Sequence, residues 1–149
     1  MTIESSELRE IHPIYCYTPK GDTVTFNAIK DLVEKTAMTH DIPVAFEFGE
    51  IASGKNTTIT LEDCLILYHP EHRHDYISFV FRIRRENDIA YISKNEYGTS
   101  QRVSNTDDVL DEAKKLKNPP RQLIEDDKEL EAEKRYYLAL RSVFEFIKC

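Results

Sequence analysis

The chain has only four glycines, three cysteines and no tryptophan among its 149 residues. So few glycines leave little material for loops that close over a substrate. Cys16, Cys64 and Cys149 are too few and too scattered for a disulfide framework, and they fit a reducing cytosol. Cys149, the last residue, is not expected to act as a prenylation box, which needs the cysteine fourth from the end. No apolar run approaches the ~18 residues of a membrane span. Met1–Glu10 is acidic and polar, without the basic start and apolar centre of a secretion signal. A cytoplasmic location is therefore expected, and the sequon at Asn56-Thr57-Thr58 reads as a polar loop. Basic charge is also short: 20 Lys and Arg face 27 Asp and Glu, for a net charge of −7. That disfavours nucleic-acid and anionic-membrane partners, both of which need a basic field. Internal repeats, low-complexity segments and inter-domain linkers are missing too.

What remains is ordinary globular material, 40% hydrophobic and 32% charged, enough for one domain over residues 1–149 with its own core. Its clearest stretch is Tyr76–Tyr97. Ile77, Phe79, Phe81 and Ile83 alternate with Ser78, Val80, Arg82 and Arg84, the period of a strand with one buried face. Asn87-Asp88 tolerates the positive φ of a tight turn and closes a hairpin. This register sets Ile83 opposite Ile92 and Arg84 opposite Tyr91. It puts Ala90 and Ile92 on the core side and Arg82, Arg84, Tyr91 and Ser93 outside.

Ile11–Thr18 is β-prone, with Pro13 near its start marking an edge, and Pro19–Asp22 is a turn. A helix follows, capped by Thr23 or Thr25 and bearing Phe26, Ile29, Leu32, Val33 and Ala37. Asp41-Ile42-Pro43 ends it. Val44, Phe46 and Phe48 alternate toward Ile51 as a half-buried strand. Cys64–Tyr68 is apolar on both faces, as in a central strand. From Asn105 the period becomes helical, with Val109, Leu110, Ala113 and Leu116 on a short helix. Asn118-Pro119-Pro120 stops it and starts another. There Leu123, Leu130, Tyr137 and Phe144 lie seven apart, and apolar density rises after Tyr136. The expectation is an α+β fold. A largely antiparallel sheet of about 4–5 strands, with one helix, fills residues 11–104. Residues 105–149 are helical, and the N-terminal helix and the long C-terminal helix cover the sheet.

Chemistry is harder to find. His69, His72 and His74, with Glu71 and Asp75 in the same seven residues, form a candidate zinc or nickel site. Arg73 in their midst opposes a cation, and the competing reading is a solvated loop that titrates near neutrality. Gly49–Lys55 has the spacing of a phosphate-binding loop. It has Asn56 where Ser or Thr is needed and a strand where a helix should follow, so it reads as a turn. Arg82, Arg84 and Arg85 with Tyr91 and Tyr97 resemble a basic aromatic sheet face, but the signature motifs of RNA-binding sheets are absent. Cys64 lies in an apolar run, the setting of an inert thiol. Cys16 has His12 four residues back, about 13 Å along a strand. No Gly-x-Ser-x-Gly elbow occurs. Glu129, Glu131 and Glu133 line the early half of the last helix as an acidic face.

The composition and the missing motifs point first to a noncatalytic protein-binding module: an adaptor, inhibitor or immunity-type protein with no cofactor. Its docking surface is expected at Glu129, Glu131 and Glu133, at Arg82, Arg84 and Tyr91, or at both. Its partner is an unidentified protein, with a homodimer through the C-terminal helix as a further possibility. Two other readings are a helix-grip domain with an apolar ligand pocket between sheet and Tyr137–Phe144, and a metal-dependent enzyme built on His69–Asp75.

Overall fold

A computed structural model of the chain describes residues 1–10, 16–18, 24–54, 58–87, 89–100, 125–145 and 147. Its elements are β1 (Thr2–Glu4), a 3-10 turn (Ser5–Glu7), β2 (Arg9–Glu10), β3 (Cys16–Thr18), α1 (Phe26–Thr39), β4 (Ala45–Ser53), β5 (Thr60–Tyr68), β6 (Ser78–Glu86), β7 (Ile89–Tyr97) and α2 (Glu125–Phe144). The expected helix at Asn105–Leu116, its Pro119-Pro120 joint and the turn at Pro19–Asp22 lie outside the described residues.

The β6–β7 hairpin has the register that alternation implies: Ile83 pairs with Ile92, Arg84 with Tyr91 and Glu86 with Ile89. Asn87 takes φ +48° at the turn, a conformation its short polar side chain tolerates. β5 is buried on both faces from Cys64 to Leu67, because it sits mid-sheet in the order β1-β4-β5-β6-β7-β2, with β3 also on β7. Among the described residues all pairings are antiparallel except β1 with β4. The fold is α+β, as the sequence implies.

Both helices lie on one face. α1 starts where the Thr25 hydroxyl accepts from the Ala28 N–H at 3.1 Å, satisfying one orphan amide of the first turn. It buries Ile29, Val33 and Ala37; Leu32, on the expected apolar spacing, is instead 40% exposed. α2 lays Tyr137, Leu140, Phe144 and then Ile147 on Phe79, Phe81 and Ile92. The rings meet edge-on, with Phe144 5.2 Å from Phe79 and 5.5 Å from Phe81, the geometry aromatic quadrupoles favour. Lys94 extends along this layer with its ammonium 4.4 Å from the Phe144 ring centre.

The other face is not simply solvated. Ile3, Ile51, Cys64, Ile66 and Val80 form a second core there, flanked by Leu8, Tyr68 and Tyr97. It depends on the N-terminal segment, which composition marks only as acidic and polar. Ile3 is fully buried, and three residues are too few for a strand period to be read. β1 borders β4 at one edge and β2 borders β7 at the other. In a flat sheet five strand spacings separate them, about 24 Å. The five residue steps from Glu4 to Arg9 reach at most about 18 Å, less through a 3-10 turn. The sheet must therefore curl around Ser5–Leu8. Gly49 lets the N-terminus come close to β4: a Cβ there would lie 2.9 Å from the Met1 carbonyl oxygen and 3.0 Å from Ile66 Cδ1.

Candidate functional site

The histidine loop folds back against α2. His69 is buried, its ring centre 4.6 Å from that of Tyr136 and 4.7 Å from that of His72. Its Nδ1 accepts from the Glu71 N–H at 3.0 Å. His72 stacks on Tyr76 at 4.1 Å and pairs through Nδ1 with Asp75 at 3.1 Å. His74 is exposed. The Tyr136 hydroxyl donates to the Pro43 carbonyl at 2.9 Å, closing the cluster on the connection between α1 and β4. Instead of turning His69, His72 and His74 onto one point, the loop uses two of them as aromatic packing. Among the described residues no group of three His, Cys, Asp or Glu is arranged to hold a metal ion.

Burial, and then the neighbouring His72 charge, hold the His69 pKa below the usual 6.5. The unfolded chain therefore takes up a proton more readily than the folded one. The resulting contribution is fully present above pH 6.5 and is lost as pH falls from there toward the folded pKa. Thermal melts between pH 7.5 and 5.5 should show the wild type losing more stability than His69→Asn. Parallel losses would remove His69 as the cause.

A second polar group lies under α2. Glu133 and Glu96 are fully buried. The Tyr137 hydroxyl donates to Glu133 Oε1 at 2.6 Å and accepts from the Ile77 N–H at 2.8 Å. Burial, the bond to Glu133 and the nearby carboxylates push the Tyr137 pKa far up, so it stays a phenol. Arg9 Nε approaches Glu96 at 3.7 Å, and its guanidinium also donates to the Gly98 carbonyl, tying β2 to the end of β7.

This corrects the acidic-face expectation. Glu129 and Glu131 are exposed, but Glu133 lies inside. It precedes Tyr136 by three residues and Tyr137 by four, which sets it on the same side of the helix as both. On the reverse sheet face, Arg82 makes a two-pronged pair with Glu62, at 2.8 and 2.7 Å. Arg84 is exposed and Tyr91 half-buried. β5 and β6 pair only through Leu65–Leu67 and Phe79–Phe81, and the Arg82–Glu62 bridge spans the strands beyond. Cys64 is buried and free. Burial first, then the Glu62 charge, push its thiol up to about 11, consistent with an inert cysteine. Gly49–Ser53 continues β4, and the turn comes at Gly54, with φ +115°. Where a helix-grip pocket needs space, the rings of Tyr137 and Phe144 pack directly on Phe79 and Phe81.

One surface was not anticipated. Among the described residues, α1 and α2 leave the far end of the β4–β5 hairpin uncovered, with Phe48 52%, Leu61 57% and Ile59 64% exposed. Register places Glu50 directly opposite Asp63 between Phe48 and Leu61 on that face, with Glu4 beside Ala52. Opposed like charges destabilise a strand pair. Alternation identifies Phe48 as facing the helix side, but which part of that side the helices reach is a tertiary matter. No family model, curated protein or solved structure matches the chain.

Proposed function

We propose that the chain is a noncatalytic protein-binding module whose docking surface is the uncovered β4–β5 face. The observation that carries this reading is the combination of exposed Phe48 and Leu61 with the opposed pair Glu50 and Asp63. Exposed apolar area rimmed by charge is the usual composition of an interaction site. Two carboxylates facing each other are relieved by a cationic partner, so the complementary surface is a protein segment carrying Lys or Arg beside apolar side chains. The formal charge of −7 adds a long-range attraction for such a partner.

The test is capture from host lysate at low salt, comparing the wild type with a Glu50→Lys/Asp63→Lys double variant and a Glu129→Lys/Glu131→Lys double variant. The β4–β5 reversal should abolish recovery of a protein that the wild type captures reproducibly, and exchanging one opposed like-charge pair for another should leave the melting temperature nearly unchanged. Capture that survives this reversal but is lost with the α2 variant would move the docking surface to the helix. Capture indifferent to both would defeat an acidic docking surface.

A further inference from the structure

We infer that two copies of this chain pair through the outer edge of β4 to form one sheet continuous across a two-fold axis. β1 borders only Glu50–Ala52 of β4, and the Glu50 N–H donates outward to the Met1 carbonyl at 3.0 Å. Alternate residues of a strand turn their backbone groups to the same side. Phe48 and Phe46 therefore also turn theirs outward, as Val44, the residue before β4, turns its carbonyl, and no strand takes them up among the described residues.

This free stretch is bounded at one end by Met1 and at the other by Pro43, which has no N–H to give. Its midpoint, Phe46, is itself outward-turned. A two-fold axis there sets Phe46 against Phe46 of the second copy and Val44 against its Phe48, so that the Phe46 N–H and carbonyl and the Phe48 N–H all find partners. On the helix side Val44, Phe46 and Phe48 of both copies make one apolar row, which covers Phe48, now 52% exposed, and leaves Leu61, Glu50 and Asp63 open to a basic partner. On the reverse side Ala45 opposes Glu47 of the other copy, so no like charges face each other. Glu47 is already held by Arg73 and, at 3.9 Å, by the terminal ammonium. Val44–Phe48 has no lysine, proline or bulge of the kind that blunts an edge. The opposite edge, β7, is covered by β2 and β3. A strand from another protein has no reason to match this length, whereas a second copy matches it by symmetry. Five residues a side is well below the roughly 20–30 of a standard interface, so the dimer is weak and depends on concentration.

Sedimentation velocity on the full chain, from about 1 μM to about 1 mM, reads this directly. The wild type should pass from monomer to dimer across that range. Phe48→Pro removes an outward N–H that β5 does not use, and Phe48→Lys puts a charge in the apolar row; each should weaken association at least tenfold with the melting temperature of the dilute monomer retained. If the proline variant fails to fold, the lysine variant decides alone. Leu138→Lys, on the exposed side of α2, should leave the dimer intact. A wild type that stays monomeric throughout overturns the inference, as does a dimer indifferent to Phe48→Lys or lost in Leu138→Lys.

Discussion

Glu133→Lys is expected to cost at least ~3 kcal/mol, because it takes the acceptor from the buried Tyr137 hydroxyl and buries an unpaired charge in its place, whereas Glu129→Lys and Glu131→Lys should each stay within about 0.5 kcal/mol. All three are glutamates on one helix, and sequence alone treats them alike. The difference is position. Glu133 is fully buried and accepts the Tyr137 hydroxyl at 2.6 Å, while that hydroxyl accepts the Ile77 N–H at 2.8 Å. Carboxylate, phenol and amide thus form a chain that fixes α2 over the start of β6. A lysine there offers donors where an acceptor is needed and buries an ammonium without its counter-charge. Urea denaturation followed by far-UV circular dichroism gives the comparison. A Glu133→Lys variant as stable as Glu129→Lys would mean that α2 is seated in some other rotation.

Phe81→Ala should cost ~3–5 kcal/mol as a large-to-small change in a closed core. Phe81 is fully buried, opposite Leu65 on β5 and Lys94 on β7, with the Phe144 ring 5.5 Å away. It sits where the two hairpins meet through only three residue pairs. The loss therefore falls on the joint that holds the sheet together, and relaxation cannot close the cavity without shifting a strand or α2. Arg84→Ala, three residues along the same strand but exposed, should change stability by less than about 0.5 kcal/mol. Equal losses for the two variants would contradict the register of the hairpin.

The parts legible in the sequence were those set by local periods. Alternation from Ile77 to Ile83 with a turn at Asn87 fixes which face of β6–β7 is apolar, because a one-residue slip would turn Phe79 and Phe81 to the other face. The doubly apolar run Cys64–Tyr68 marks a strand with neighbours on both sides, and β5 has them. The cap at Thr25 and the stop before Pro43 bracket α1 by backbone chemistry alone. The stripe at Tyr137, Leu140, Phe144 and Ile147 identifies the part of the last helix that packs.

Other features have no local signature. Ile3 belongs to a strand too short to show a period, and only the curl of the sheet around Ser5–Leu8 makes it core. His69 looks like part of a solvated titrating loop until Tyr136, 67 residues further along, is packed against it. Glu133 reads as surface because carboxylates are costly to bury, a rule overturned here by a hydroxyl supplied one helical turn later. Phe48 alternates as a core residue should, yet α1 and α2 stop short of it. A residue's period states which side it faces. Whether anything covers that side depends on where distant elements come to rest, and in this chain that decided both the buried glutamate and the exposed phenylalanine.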